Sequence, residues 1–230
     1  MNRSVLFIIL SLFFIPLNMP AQTVDNVLDQ VTAALEQSHW QEADNLYRIA
    51  VDVDVFRSER YLNDKVQDNS PARPSMLMYL GDYFRRTRNY DDAYSYYKKL
   101  VAANPKDINY LLRLSEMEVQ LGKESDALIT YQSIYNIDEN NLSANIFLGN
   151  YYFCEAEKQM NELYNEHQKI VNPTRIQLST YHDQKVQIFN TNYKRSKKYL
   201  ETASKRFPSA EVFKTLKKIQ HVEDEIQRNK

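Results

Sequence analysis

The chain reads as all-α: a solenoid of antiparallel helical hairpins with an elongated last hairpin and a C-terminal capping helix. Three observations predict this. Glycine and proline are scarce, 3 and 7 in 230 residues, so strands and tight turns would lack punctuation. Small and aromatic residues recur at a spacing of 34 positions. Long stretches place apolar residues every three or four positions, the period of one helix face.

Composition bounds the class. The chain is 43% hydrophobic and 26% charged, which suits a packed domain rather than a disordered one. Tyrosine is plentiful at 17, an apolar body with a polar tip that suits helix interfaces and binding surfaces. The N-terminus reads as a secretory leader over residues 1–21. Arg3 is its positive end, residues 5–15 are an apolar run too short to span a membrane comfortably, and Ala21 is a small residue suited to cleavage. Export is expected, to the periplasm or outside the cell, and no cysteine stands near the cleavage site to carry a lipid. Loss of the leader removes one Arg and takes the formal charge from −1 to −2. Cys154 is the only cysteine, so the domain expected over residues 22–230 is held by packing without an internal disulfide.

The repeat explains an odd glycine. In "LGDYFRRTRNYDDAYSYY", residues 80–97, Gly81 sits inside a helical pattern, where it costs about 1 kcal/mol relative to Ala. A shift of 34 places Gly81 on Ser115 and then on Gly149, Leu80 on Leu114 and Leu148, Ala93 on Ala127, and Tyr97 on Tyr131. An earlier copy appears at a shift of 50, where Trp40, Ala43, Tyr47 and Ala50 match Tyr90, Ala93, Tyr97 and Leu100. The extra residues, about 58–73, are polar, contain Pro71 and lead into Pro74; they read as a loop. Small residues let paired helices approach closely, and that approach offsets the cost of the glycine.

These positions resemble the tetratricopeptide repeat family over about residues 24–208. Leu80-Gly81, Phe84, Tyr90, Ala93, Tyr97 and Pro105 stand where that family's pattern has them. The resemblance implies a right-handed solenoid with repeats at about 24–57, 74–107, 108–141 and 142–208. The first copy departs from the pattern with Val31 at its small position, although Val24, Val27, Leu28, Val31 and Leu35 still form an apolar face.

The last repeat carries a 35-residue extension: Ser196, Leu200, Ala203 and Pro208 take the places of Ala93, Tyr97, Leu100 and Pro105. Residues 143–171 hold no Pro, and no Gly except Gly149. Asn172-Pro173 breaks the pattern, with Asn172 expected as the next N-cap, and a second stripe runs from Thr174 to about Arg206. The excess divides almost evenly between the two helices, as a longer hairpin requires, projecting roughly 22–25 Å at 1.5 Å per residue. Residues 209–229 read as a closing helix with Val212, Phe213, Leu216 and Ile219 facing inward.

Chemistry is sparse. His39, His167, His182 and His221 show no metal-ligand spacing, and three glycines could hardly supply a phosphate loop. Neither a catalytic residue, a metal site nor a cofactor is expected. Cys154 follows three aromatics and reads as packed or groove-lining, with a reactive thiol as the alternative. Charge is uneven: residues 24–68 carry ten acids against four bases, and residues 169–208 nine bases against two acids. The run Lys194, Arg195, Lys197 and Lys198 is either a solvated helix face or a patch for an anionic partner or membrane surface. Nucleic acid does not suit an exported, mildly acidic chain.

By alignment with the family, the groove positions are Tyr79, Asp82, Arg86, Arg113, Glu116, Gln120, Phe147, Asn150 and Cys154. The resemblance implies a non-enzymatic binding module or scaffold of the cell envelope that holds another protein or an extended peptide. The basic clamp by which some members hold acidic tails is unmatched, because Met78 and Asp82 stand where Lys and Asn would be wanted. Two further expectations are a structural protein that self-assembles through the long hairpin, and an accessory subunit of an envelope enzyme or of a secretion or assembly complex.

Overall fold

The computed structural model describes residues 23–228, and the leader expected over residues 1–21 lies outside them. Every regular element among the described residues is helical: α1 (Val24–Glu36), α2 (Trp40–Val53), α3 (Val55–Lys65), α4 (Arg73–Arg86), α5 (Tyr90–Ala103), α6 (Ile108–Gln120), α7 (Glu124–Ile137), α8 (Leu142–Gln168), α9 (Arg175–Ile188), α10 (Lys194–Arg206) and α11 (Ala210–Arg228). A π-helical turn, Phe189–Tyr193, joins α9 to α10. The chain forms two compact units that divide between Met76 and Leu77, inside α4.

In the first unit, α1 and α2 form a hairpin and α3 packs on both. The stretch 58–73, expected as a loop, is helical over 58–65 and a loop only over 66–72. Ser58, Tyr61 and Leu62 fall on one face at helical spacing and are buried. Asp54 caps the helix by accepting from the Arg57 amide at 3.1 Å. Arg73 closes the other end, donating from Nη1 to the carbonyls of Leu62 (3.0 Å) and Val66 (2.5 Å). The Tyr47 hydroxyl donates to the Ser58 carbonyl at 2.9 Å.

In the second unit, the hairpins α4/α5, α6/α7 and α8/α10 follow one another, with α5 packed on α6 and α7 on α8. The repeat is written in the backbone as well as the side chains. Asp54, Asn104, Asp138 and Phe207 end their helices with the same extended conformation, φ between −152° and −138° and ψ between 83° and 96°. The turn inside three of the hairpins repeats too: Ser38, Arg88 and Gly122 occupy the left-handed region at φ 58°, 61° and 68°. Glycine removes the steric cost of that conformation only at Gly122.

At the α4/α5 and α8/α10 crossings the helices are as close as glycine allows. A Cβ on Gly81 would lie 2.7 Å from Tyr97 Cε1, and one on Gly149 would lie 2.5 Å from Leu200 Cδ2. Ser196 Oγ donates to the Gly149 carbonyl at 2.7 Å. Tyr97, Leu200, Ala93, Ala127 and Ser196 are fully buried. Gly149, Ser196 and Leu200 therefore meet across the extension as Gly81, Ala93 and Tyr97 meet without one.

The long hairpin has a third helix beside it. At 27 residues α8 is roughly 40 Å long, at 1.5 Å per residue. α11 packs against α10, the π turn and α9 rather than only closing the end of the stack. Ala156, Phe189, Tyr193, Leu200, Val212, Ile219 and Ile226 form the core of this three-helix bundle. Lys185 Nζ meets Glu225 Oε1, and Lys197 Nζ meets Glu223 Oε2, both at 2.7 Å. Phe213, expected inward, is 59% exposed. It follows Val212 by one residue, about 100° around the helix from the buried stripe Val212, Ile219, Ile226. The N-cap of α9 is Thr174, not Asn172. Thr174 and Gln177 make a reciprocal capping box, while Asn172 takes a left-handed turn conformation. Toward the tip of the hairpin, residues 161–182 hold no buried side chain. Val171 and Ile176 at the tip are 85% and 78% exposed.

One buried charge stands out. Glu118 on α6 is buried, and its Oε2 has no hydrogen-bond partner. Burial pushes its carboxyl above the usual glutamate range, and nearby Asp126 adds to this. A hydrogen bond to Thr130 and the charges of Lys98 and Lys123 pull the other way.

Two predictions follow from packing and burial. Gly81→Ala gains about 1 kcal/mol of helix propensity but forces a methyl into an anchored, buried ring, an overpacking cost of about 1–3 kcal/mol. The expected result is a lower melting temperature; a higher one refutes the close crossing. Glu118→Met should stabilise the fold at neutral pH. Ionised Glu118 is disfavoured by burial, so its penalty is absent below the ordinary glutamate range, grows as pH rises from there to the raised value, and is complete above it. The gap between Glu118→Met and wild type should therefore widen from acid to neutral pH in thermal melts; a constant gap argues against it.

Candidate functional site

The groove is built on the first helices of the second unit's hairpins, α4, α6 and α8. Two adjoining concavities lie along it. The larger, about 450 Å³, is walled by α6, the start of α7 and α8. Five of the nine expected groove residues line it: Glu116, Gln120, Phe147, Asn150 and Cys154. The smaller, about 390 Å³, lies between α4 and α6 and takes in Asp82, Arg113 and again Glu116. Tyr79 and Arg86 lie on α4 but line neither; the Arg86 guanidinium lies 6.0 Å from the Tyr83 ring centre.

The larger pocket owes its apolar wall to a stack of rings. Tyr131 and Phe147 stack with centroids 4.2 Å apart, and Phe147 and Tyr151 at 6.3 Å. Val119 and Ile146 complete the wall, while Glu116, Gln120, Glu124, Ser143 and Asn150 bring polar groups to it. Burial raises the Tyr131 hydroxyl above its ordinary value, as befits a ring that is more wall than solvent contact. Cys154 is exposed at the pocket's edge as a free thiol.

The smaller pocket is electrostatically self-contained. Tyr97, fitted against Gly81, donates its hydroxyl to Asp82 Oδ1 at 2.8 Å. Burial, reinforced by that bond to a carboxylate, drives the Tyr97 hydroxyl strongly upward, so it stays protonated and keeps donating. Arg85 Nε and Arg113 Nε reach the same Asp82 oxygen at 3.4 and 3.6 Å. Both arginines also approach Glu116, at 3.6 and 3.8 Å. Two acids and two bases thus balance, with Tyr97 as the fixed point.

Sequence reasoning missed Arg85, Val119, Glu124, Tyr131, Ile146 and Tyr151. The alignment transferred one stripe of each first helix, whereas the pocket also takes residues from the second helix, α7. The signal available was periodicity: Ser143, Ile146, Phe147, Asn150, Tyr151 and Cys154 follow one helical stripe.

Three members of the basic run on α10, Lys194, Arg195 and Lys198, share its exposed face within about 100° of arc, and Lys197 lies at the side toward α11. Lys197 is paired with Glu223 and reaches Gln220 at 3.2 Å. Arg195 lies 4.9 Å over the Tyr152 ring and Lys198 5.6 Å over Tyr135. Lys194, Arg195 and Lys198 are exposed. No three His, Cys, Asp or Glu side chains converge as a metal site among the described residues.

Stacked helical hairpins with a small residue at each crossing and a groove along their first helices define a helical-repeat protein. Comparison with known proteins gives the family. The tetratricopeptide repeat pattern matches residues 28–108 and 80–141. A crystal structure from Bacteroides ovatus, described as that of a candidate protein-binding protein, is 36% identical; the match covers 89% of this chain and all of that one, with a TM-score of 0.79. A tetratricopeptide repeat protein from Parabacteroides merdae is 14% identical over 88% of this chain and 74% of that one, TM-score 0.35. YrrB, described as a tetratricopeptide repeat protein with an unusual peptide-binding site, is 13% identical over 87% of each chain, TM-score 0.36. A comparison with curated proteins finds no match. The chain belongs to the tetratricopeptide repeat family. That fold suggests a protein–protein interaction scaffold, and members of this family are generally not enzymes.

Proposed function

We propose that this protein is exported and holds an extended segment of a partner protein in the groove along α4, α6 and α8, as a non-enzymatic scaffold of the cell envelope. The observation that carries the reading is the larger pocket: concave, about 450 Å³, walled by aromatic and aliphatic side chains, with amides and carboxylates beside them. The apolar wall excludes water from a side chain, and Gln120 and Asn150 offer donors and acceptors to an extended backbone. The description of the Bacteroides ovatus relative as protein-binding supports it. Export rests on the leader-like pattern of residues 1–21.

Cys154, the only cysteine and exposed at the pocket, is a built-in reporter. A photo-cross-linker attached there should trap a partner in cells, and Ser143→Trp, which fills the pocket from an exposed position, should abolish the adduct. Adducts undiminished by Ser143→Trp refute the groove. A mature N-terminus at Gln22 is expected in the exported protein; retention of Met1 refutes the leader.

A second reading is favoured by the tip of the long hairpin, where Val171 and Ile176 stand in solvent. A second copy of this chain would cover them. Light scattering should then show a dimer at micromolar concentration that Val171→Asp with Ile176→Asp returns to monomer. A wild-type monomer refutes self-assembly.

A further inference from the structure

Charge at the larger pocket points to the chemistry of its occupant. Two carboxylates, Glu116 and Glu124, line it, and no Lys, Arg or His does. Glu116 is already shared between Arg85 and Arg113. Glu124 makes no ion pair among the described residues. The neighbouring base, Lys123, points away from it toward α5, with Nζ 3.8 Å from the centre of the Tyr94 ring. Glu124 opens α7, where the helix N-terminus contributes only about half a positive charge. The pocket therefore keeps a net negative edge beside an apolar wall of Val119, Ile146 and Phe147. Phe147 gives one face to Tyr131, with centroids 4.2 Å apart, so these rings stack as a wall rather than enclose a cation.

We infer that the pocket takes an extended peptide in which an apolar side chain fills the space against Val119, Ile146 and Phe147 and an adjacent Arg or Lys meets Glu124. This rests on the groove reading above and adds its selectivity: basic segments over acidic ones. The two contributions differ in size. The anchor is a desolvated contact of the kind that dominates interfaces. The Glu124 contact is an exposed ion pair, with a modest effect that salt screens.

The test is fluorescence anisotropy of the full chain with labelled nine-residue peptides in a Gly-Ser host, carrying central Leu-Arg, Leu-Glu or Ala-Arg, alongside the rate of Cys154 alkylation. Leu-Arg should bind best and slow alkylation. Ala-Arg should bind about tenfold more weakly or worse, and Leu-Glu about two- to fivefold more weakly. Glu124→Gln should erase the difference between Leu-Arg and Leu-Glu while leaving the preference for Leu over Ala. Equal binding of Leu-Arg and Leu-Glu, or discrimination that survives Glu124→Gln, overturns the basic selectivity; if Cys154 is still protected, the groove reading stands. No protection by any of these peptides overturns both. A dimer abolished by Ser143→Trp would assign the pocket to a second copy and overturn the peptide.

Discussion

The contact on which the second unit depends is the ring of Tyr97 against the bare backbone of Gly81. It closes the α4/α5 hairpin, because no side chain separates the two helices there. It also reaches through to the functional face. The same ring ends in a hydroxyl bound to Asp82, and Asp82 gathers Arg85 and Arg113 beside Glu116. Packing and groove electrostatics are thus linked through one side chain. The interior glycine, unfavourable for an isolated helix, is the condition for both.

The third hairpin shows how such a crossing tolerates a large insertion. Gly149, Ser196 and Leu200 meet although 35 more residues separate them than in the ordinary repeat. The inner part of the added length is not left as a bare pair of rods. α11 supplies the third wall and the core runs through Phe189, Tyr193, Ile219 and Ile226. A π turn inserts one residue beyond α-helical spacing at Phe189–Tyr193, and both of its end residues point into that core. Toward the tip burial stops, and the tip stands with its apolar residues uncovered.

A charge pattern read along the sequence transfers to the fold only in part. The excess of bases over residues 169–208 suggests a patch for an anionic surface. In the fold, Lys185 and Lys197 are taken up by Glu225 and Glu223 of α11, while Lys194, Arg195 and Lys198 stay together on the exposed face of α10. A linear count cannot show which charges meet. The stretch 58–73 failed for a related reason. Its polarity was visible, but its one buried face became a helix face only against α1 and α2, with Arg73 closing the end.

The sequence by itself determined the helical class, the period, the crossings and the length of the last hairpin. These are local or periodic properties, set by where small, aromatic and helix-ending residues fall. It also placed five of nine groove residues at the larger pocket, because a helix face follows from spacing alone. Only the tertiary structure decided that Glu124 and Tyr131 of α7 share that pocket, that α11 braces the long hairpin, and that Phe213 faces water. Each of these depends on which surfaces of separate helices come together, and residues far apart in the chain carry no mark of one another until they pack.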